Sequence, residues 1–380
     1  MRFEEAYGGW RRGGITQEEA AGLLGVCERT FRRYLVRYEE EGMDGLIDRR
    51  LGQISHRCAP VDEVMALADL YSRQYGGFTA KHFYSWYRRG HQGKRSYTWV
   101  KNTLQGKGLI AKSTGKGVHR KKRPRAPYAG MMLHQDGSKH EWVKGKLWDL
   151  IVTMDDATSK HYSMFFVDEE GTRSSFQGAK EVIESNGVFA SLYTDRGSHY
   201  WHTPTAGGKV DKENPTQFGR AMRQLGIKMI PAYSPEARGR SERAFCTHQD
   251  RLVKELAKEG ITDMKQANDY IRNVYMPAFN EEFTVAPQET AGMFIPWAGN
   301  SLEDILCEQY ERSVGNDNCV RFNGLTLQIP PDRYRYHYVK AKVRVHHYPD
   351  RRLSLFYGPR KLVSYDACGK EVTDNPQLAA

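Results

Sequence analysis

The feature that most constrains the fold is the order of apolar segments between residues 131 and 258. Three short apolar runs come first, separated by polar turn residues: MLHQDGS, LWDLIVTMDD and HYSMFFVD. They are followed by a helical stretch (SSFQGAKEVIESNG), a strand-like run (ASLYTD), a second helical stretch (TQFGRAMRQLG), a strand-like IKMI and a long helical segment after Pro235. Three strands in succession indicate an antiparallel meander. The whole order predicts a mixed α/β domain.

Two acidic residues occupy informative places in this order. Asp136 falls within the first predicted strand and Asp195 at the end of the fourth, each preceded by apolar residues. Burying a carboxylate costs free energy unless a cation accompanies it, so metal binding explains the pair better than packing does. Asp155 and Asp156 end the second predicted strand, where a hairpin turn favours aspartate, and are interpreted as turn residues.

The predicted long helix offers Glu236 and Glu242 as candidates for a third acid. Glu242 leads a stripe whose three-and-four spacing marks the face that packs on the sheet, so its carboxylate is expected to point at the strands. The stripe is Phe245, Cys246, Gln249, Leu252, Val253 and Leu256. Glu236 lies six residues earlier, about 600° of rotation around the helix, so it does not share the face of Glu242. It is interpreted as a first-turn residue favoured by the helix dipole. Three neighbouring groups fit phosphate contact and an ordinary surface role equally: His199, Arg240 and Arg243.

The first 54 residues predict a helix-turn-helix domain. Residues 15–38 read as two short helices about Gly25, with Thr16 and Glu19 as a capping box. The apolar positions expected to face inward are Ala20, Leu23, Leu24, Phe31 and Leu35. This leaves Arg29, Arg32 and Arg33 outside the core, as in a basic recognition helix. The alternative is a surface arginine run on an ordinary helical hairpin.

Residues 55–111 predict a second helical domain, in which Ser96 caps a helix carrying Lys101. It is interpreted as a second helix-turn-helix or as a helical spacer. Residues 112–128 are dense in Lys and Arg and broken by Gly and Pro, which predicts an extended, solvated linker. Its phosphate-contacting candidates are Arg120, Lys121, Lys122, Arg123 and Arg125.

The C-terminal segment, 312–375, predicts a small β-barrel from four short strands: CVRFNGLTLQIP, KAKVRVHHYP, RLSLFYG and KLVSYD. Five basic residues alternate with apolar ones here, which suits DNA contact and protein assembly equally: Arg321, Lys340, Lys342, Arg344 and Arg360. The chain as a whole is therefore expected to be a multidomain α+β protein.

The composition agrees with a polyanionic partner. Lys and Arg number 57 against 46 Asp and Glu, a net charge of +11, which suits nucleic acid and equally ribosomal or membrane-surface contact. The chain contains no membrane-length apolar run and no apolar signal core at its N-terminus, so a cytoplasmic, nucleoid-associated protein is expected. The six scattered cysteines form no C-x-x-C, which argues against structural zinc and disulfides.

Three segments resemble the motifs of retroviral-integrase-like DDE transposases of bacterial insertion sequences, of the ISNCY type. The segments are HQDGSKHEW, LYTDRGSHYW and YSPEARGRSERAF. The resemblance covers about 129–290, and the flanking segments look like the same group. It implies a ribonuclease-H-like catalytic core over 129–290. The gap between the second and third acids is 242 − 195 = 47 positions, longer than usual in the family, and the excess is assigned to the polar loop WHTPTAGGKVDKENP.

The resemblance also implies roles for individual residues. Asp136 and Asp195 match the first two family acids, and Glu242 matches the glutamate of the Pro-x-x-x-Gly-x-x-Glu pattern. These three would be both catalytic residues and ligands of two Mg²⁺ ions, with Mn²⁺ as a substitute. The implied reaction cleaves transposon ends and joins the 3′-OH to target DNA. The implied partners are double-stranded DNA, namely terminal inverted repeats and target, and further copies of the chain.

Two other functions stay open at the level of sequence. One is a DNA-binding regulator with a degenerate ribonuclease-H-like domain, which would bind DNA without cleaving it. The other is a structure-directed nuclease of the same fold, which would cleave without joining ends.

Overall fold

The computed structural model of the chain describes residues 2–48, 51, 58–112, 123–205, 208–233, 235–299 and 301–372, without the side chains of 235–238. The chain divides into two compact units, Met1–Lys112 and Ser113–Ala380. Within the described ranges, no helix combines the length and the apolar character needed to cross a bilayer. The predicted phosphate contacts Arg120, Lys121 and Lys122 lie outside the described residues.

The first unit is helical. Its described helices are α1 (Phe3–Arg11), α2 (Gln17–Leu23), α3 (Glu28–Glu41), α4 (Val61–Gln74), α5 (Ala80–Arg89) and α6 (Tyr97–Gly106). The predicted helix-turn-helix is confirmed in α2 and α3: Thr16 and Glu19 form the capping box, and Gly25 makes the turn at φ +67°. A left-handed backbone of this kind favours glycine.

The core of the first helices differs from the prediction at one position. Ala20, Phe31 and Leu35 are buried as expected, whereas Leu23 is 49% exposed and Ala21 is buried instead. The buried face of α2 is thus shifted toward Ala21, and α1 adds Ala6 and Tyr7 to the same core.

The α4–α6 segment has its own core. Leu67, Tyr71, Phe83, Val100 and Leu104 are buried together. Thr79 caps α5, and Ser96 caps α6 by accepting a hydrogen bond from the Trp99 N–H at 3.3 Å, as the sequence predicts. These three short helices therefore close around aromatic residues rather than forming an extended spacer.

The second unit begins with a five-stranded sheet. Its strands are β1 (Leu133–Val143), β2 (Lys146–Asp155), β3 (His161–Val167), β4 (Ser191–Thr194) and β5 (Lys228–Pro231), hydrogen-bonded in the order β3–β2–β1–β4–β5. The first three strands are antiparallel neighbours, while β4 pairs parallel with β1 and β5 parallel with β4. This is the predicted meander followed by alternating helices and strands, and it is the strand order of a ribonuclease-H-like fold.

Helices cover both faces of this sheet. They are α7 (Thr172–Asn186), α8 (Gln217–Gln224), α9 (Pro235–Lys258), α10 (Met264–Tyr270) and α11 (Met276–Phe283). One core holds residues of α7 and α8, including Phe176 and Phe218, against Leu133. The other holds residues of α9–α11, including Leu252 and Phe279, against Trp142. The β1 strand therefore contributes side chains to both cores, as alternation along a central strand requires.

The C-terminal part forms sheets, and the predicted barrel is not confirmed. The strands are β6 (Glu308–Ser313), β7 (Cys319–Phe322), β8 (Leu325–Gln328), β9 (Lys342–His347), β10 (Leu353–Tyr357), β11 (Arg360–Tyr365) and β12 (Glu371–Val372). Five of them pair in the open order β12–β11–β10–β9–β6, and β7–β8 is a separate hairpin. Gln217 of α8 and Gln309 of β6 exchange hydrogen bonds of 2.8 and 2.9 Å, so these sheets pack directly on the catalytic core.

Candidate active site

Asp136 and Asp195 lie at matching positions just beyond the parallel pairing of β1 and β4. Leu133 pairs with Leu192 and His134 with Tyr193. Two residues further along each chain are Asp136 and Asp195. Neighbouring strands are about 4.8 Å apart, and paired residues of parallel strands direct their side chains to the same face. The contact between the His134 and Tyr193 rings, 5.1 Å between centroids, agrees with this shared face.

The face that carries Asp136 is the one on which α9 packs. Side chains alternate along a strand, so Asp136 shares its face with His134 and Ser138. Ser138 Oγ accepts a hydrogen bond from Gln249 of α9 at 3.0 Å. His134 is connected to α9 through Asp156, which contacts both His134 and Arg240. Asp136 therefore lies between two anchor points of α9, residues 240 and 249.

Glu242 belongs to the stretch of α9 between these anchor points. It precedes Gln249 by two helical turns and thus lies on the same side of the helix. Its side chain is exposed. The predicted packed stripe is wrong at Cys246, which is also exposed, because the buried stripe runs instead through Ser241, Phe245, His248, Leu252 and Leu256. Glu242 thus borders the packed face without belonging to it, and the side chain of Glu236 lies outside the described residues.

The three acids do not form a closed ligand cluster. Among the described residues, no group of three or more His, Cys, Asp or Glu is arranged to hold a metal ion. Asp136 is nearly buried, and its Oδ1 accepts a hydrogen bond from the Gly137 N–H at 3.1 Å. Asp195 Oδ1 accepts one from the Gly197 N–H at 2.8 Å, and no described Lys or Arg pairs with Asp195. Two neighbouring carboxylates fit the ligand preference of hard divalent cations.

Two titratable side chains lie beside these acids: Glu170, which was not predicted as functional, and His199, which fitted a phosphate contact and a surface role equally. Glu170 precedes α7, and its Oε1 lies 3.5 Å from Nε2 of His199 in the loop after β4. Sequence spacing gives no signal for this pair, because the loops that carry the two residues meet only in the folded sheet.

Asp156 occupies the predicted turn but is fully buried, and several groups bind its carboxylate. It contacts Arg123, His134 and Arg240, and accepts a hydrogen bond from the Ala126 N–H at 2.7 Å. Burial raises the pKa of Asp156, but the His134 and Ala126 hydrogen bonds and the charges of His134 and Arg240 outweigh burial and hold this pKa well below its ordinary value. Arg240 is therefore engaged inside the protein rather than free to bind phosphate.

The described end of the basic linker contacts Asp156 and the residues that follow it. Arg125 donates hydrogen bonds to the backbone of Asp156 and Ala157 and to Ser159 Oγ, at 3.0, 3.1 and 2.8 Å. Residues 123–125 are exposed, so this stretch is solvated, but it is also hydrogen-bonded to the rest of the second unit. Their positive charges are partly used in anchoring the chain to the catalytic core.

A second buried polar group lies under α9. His161 Nε2 and His248 Nε2 are 2.9 Å apart, and the pair continues to Tyr275 Oη at 3.0 Å and to the Ser159 carbonyl at 3.1 Å. The carbonyl can only accept, so His161 Nδ1 carries its proton and His161 Nε2 accepts from His248. Burial lowers the pKa of His161 to about 4, and burial and the charges of His161 and Arg251 hold the pKa of His248 well below its ordinary value.

The predicted recognition-helix arginines are exposed on α3. Arg29, Arg32 and Arg33 all face solvent, and Arg32 forms an i,i+4 ion pair with Glu28 at 2.8 Å. Lys101 on α6 is half-buried. In the C-terminal sheets, Lys342 and Arg360 pair with Glu311 and Asp332, at 2.7 and 2.9 Å. The α3 arginines are therefore exposed, as a DNA contact requires.

Comparison with known proteins agrees with this arrangement. Residues 7–63 match the winged helix-turn-helix family. Transposase y4bF of Sinorhizobium fredii is 28% identical over 353 residues, which cover 90% of this chain and 75% of that protein. The chain is similar to transposases. A second relative, the transposase for insertion sequence IS1202 of Streptococcus pneumoniae, is 28% identical over 58% of this chain and 47% of its own length.

The similarity to these transposases includes the catalytic core, since the first alignment spans most of the chain. Among solved structures, the simian T-cell lymphotropic virus intasome aligns with 73% of this chain and 88% of its own, at 14% identity and a TM-score of 0.36. The magnesium-bound catalytic core domain of HTLV-2 integrase aligns with 39% of this chain and 88% of its own, at 16% identity and a TM-score of 0.31. TM-scores of this size do not establish a shared fold.

Proposed function

We propose that this chain is a DNA transposase that cleaves transposon ends and joins the new 3′-OH to target DNA. The observation that supports the proposal is the register of β1 and β4, because Asp136 and Asp195 each follow its last pair by two residues and Asp136 shares its face with the Ser138 contact to α9. Glu242, on the α9 stretch above them, supplies the third acid. The similarity to a transposase over 90% of the chain supports the same reaction class.

The three carboxylates would hold two divalent cations, Mg²⁺ or Mn²⁺. When bound, such ions activate the attacking oxygen and neutralise charge on the leaving oxygen. In the first step a water oxygen attacks the phosphorus at the transposon end, and the bond to the 3′ oxygen breaks to leave a 3′-OH. In the second, that hydroxyl oxygen attacks a target phosphodiester, and the target's own 3′ oxygen departs. Asp136 and Asp195 orient both reactions, and no covalent bond to the protein is required.

The acids can be tested one by one. Asp136→Asn, Asp195→Asn and Glu242→Gln each remove a negative charge at nearly constant volume, so each is expected to abolish end cleavage and strand transfer while leaving the dissociation constant for end DNA nearly unchanged. Cleavage of labelled terminal-repeat DNA with Mg²⁺, and binding by gel shift, measure the two quantities. Robust cleavage by one variant would exclude that residue from the site.

Matched controls separate the helix positions. Glu259→Gln changes an exposed acid just beyond the other end of α9 and is expected to leave cleavage intact. Glu236→Gln is expected to keep substantial activity, because Glu236 is assigned to the first helical turn. A Glu236→Gln variant as inactive as Glu242→Gln would reverse the choice between the two glutamates.

The same assay distinguishes the other two functions. A DNA-binding regulator would bind terminal-repeat DNA and leave it uncut in Mg²⁺ and in Mn²⁺. A structure-directed nuclease would cut branched DNA or RNA–DNA hybrids and give no joined product. Covalent joining of a labelled end to target DNA is the result that only a transposase gives.

DNA partners and assembly follow from the proposed reaction. The winged helix-turn-helix would bind the terminal repeats through the α3 arginines, with Lys101 and the 120–125 basic segment contributing phosphate contacts. Two ends must be held together for joining, so a multimer on DNA is proposed, working on the nucleoid in the cytoplasm.

A further inference from the structure

Two glycines at the candidate active site are places where polar side chains approach the backbone closely. A Cβ at Gly137 would lie 2.2 Å from Glu170 Oε2, and one at Gly197 would lie 2.9 Å from His199 Cε1 and 3.0 Å from Asp195 Oδ1. Cβ atoms rarely come this close to other atoms. The absence of a side chain at Gly137 therefore leaves room for Glu170, and its absence at Gly197 leaves room for His199 and Asp195. Gly137 directly follows Asp136.

Glu170 approaches β1 from the side opposite to Asp136. The Cβ direction of Gly137 alternates with that of Asp136, so the Glu170 carboxylate lies on the α7 side of the strand. There it faces Nε2 of His199, a buried nitrogen that has no hydrogen-bond partner closer than the 3.5 Å contact with Glu170 among the described residues. Glu170 is thus placed behind the paired acids rather than among them.

The loop after β4 is organised around Gly197. Its N–H binds Asp195, and its carbonyl accepts hydrogen bonds from the N–H groups of Tyr200 and Trp201, both at 2.9 Å. The His199 ring packs on Tyr200, with 4.0 Å between centroids. A contact that fixes His199 therefore also fixes the Gly197 peptide, whose N–H binds the Asp195 carboxylate.

Tyr200 reports how close the surrounding acids are. Its hydroxyl is fully buried and donates to Gln135 Oε1 at 3.1 Å. Burial raises its pKa well above the ordinary value, and the charges of Glu170, Asp136 and Asp195 raise it further, Glu170 most among the three. One buried phenol thus lies within electrostatic range of all three carboxylates.

We propose that Glu170 and His199 are positioning residues of this site: their contact ties the loop before α7 to the loop after β4 and sets how Asp195 lies against Asp136. Neither residue is assigned a bond to substrate. The proposal rests on the transposase function for its assay, and it concerns residues that the three acidic motifs leave unassigned.

The test compares two substitutions of Glu170 at saturating end DNA. Glu170→Ala removes the contact with His199 and is expected to lower the cleavage rate about 100-fold, the cost typical of a misplacement of about 1 Å, with an unchanged dissociation constant for DNA. Glu170→Gln keeps an oxygen that can face His199 Nε2 and is expected to retain most of the rate. The control, Glu169→Ala, changes the exposed acid next to it in the same loop and is expected to act like the unmodified chain.

A double-mutant cycle tests the coupling of the two residues. Because they act through one contact, Glu170→Ala combined with His199→Ala is expected to be no slower than the slower single variant. If the loss of cleavage rate in the double variant equalled the product of the two single losses, the proposal would be overturned. Unmodified rates in Glu170→Ala would also overturn it, while equal inactivity of Glu170→Gln and Glu170→Ala would mean that the charge itself acts on the reaction. Absence of cleavage by the unmodified chain would instead contradict the transposase function.

Discussion

At the scale of single residues, the buried chain from Tyr275 to Ser159 has a fixed direction of hydrogen bonds. Tyr275 donates to His248, His248 to His161, and His161 to the Ser159 carbonyl. A proton added to Nε2 of His161 would place two N–H groups face to face. Both histidines are therefore neutral in the folded chain, and the segment is satisfied only in that state.

This arrangement predicts acid-sensitive stability. The folded pKa of His161, about 4, lies below the ordinary histidine value of 6.5, so the unfolded chain binds a proton that the folded chain does not. The contribution to stability is complete above pH 6.5 and falls by on the order of 3 kcal/mol as the pH drops to 4. The free energy of unfolding, measured with denaturant across this range, should depend less steeply on pH in the double variant His161→Phe/His248→Phe than in the unmodified chain.

The control for that measurement is His337→Phe. His337 is exposed, so its replacement should leave the pH dependence as it is. An unchanged slope in the double variant would mean that the pair takes up protons in the folded state, contrary to the assigned direction of its hydrogen bonds.

At the scale of elements, Asp156 joins three parts of the catalytic core: β1 through His134, α9 through Arg240, and the entering chain through Arg123. Because its carboxylate is fully buried, removing it leaves buried donors without their acceptor. The join lies near the start of α9, and thus close to the stretch that carries Glu242.

Asp156→Ala is therefore expected to destabilise the catalytic core by on the order of 3 kcal/mol, measured by urea unfolding at pH 7. The lowered pKa of Asp156 implies that its contribution is full above its ordinary pKa, about 4, and is lost as the pH falls further. Asp168→Ala alters an exposed acid after β3 and should have little effect. If Asp156→Ala lowered the free energy of unfolding by less than about 0.5 kcal/mol, Asp156 would contribute no more to stability than an ordinary surface residue.

The order of elements could be predicted from sequence because apolar periodicity is local. The five strands and the α7–α9 helices follow their apolar runs, and Asp136 and Asp195 fall where predicted. The charged strand β6, Glu308–Ser313, gives no such signal and was missed. The burial of Asp156 and the meeting of Glu170 with His199 depend on long-range packing, which no local pattern encodes. For the same reason, Cys246 was predicted to be buried and is exposed.

At the scale of the whole molecule, the proposed DNA-binding helix and the proposed catalytic acids belong to different compact units, Met1–Lys112 and Ser113–Ala380. The exposed α3 arginines belong to the first and the paired acids to the second. Substitutions in the two units should therefore affect different quantities, affinity in one and rate in the other.

Neutralising Arg29 and Arg33 tests this division. If each contacts one phosphate, Arg29→Ala/Arg33→Ala should weaken binding of terminal-repeat DNA and reduce the slope of log affinity against log salt by about 1.8. Cleavage at saturating DNA should stay near the unmodified rate. Arg73→Ala, at an arginine already paired with Asp69 in α4, serves as the control. An unchanged salt slope in the double variant would remove α3 from the DNA contacts.

The parallel register of β1 and β4 also bears on how such a chain can change over evolutionary time. Insertions among the exposed residues Lys212–Asn214 would lengthen a loop and leave both acids where they are. A one-residue slip within Ser191–Thr194 would instead turn Asp195 to the opposite side of the sheet, away from its partner. Length variation among descendants should therefore accumulate after the second acid and be purged from the four residues before it.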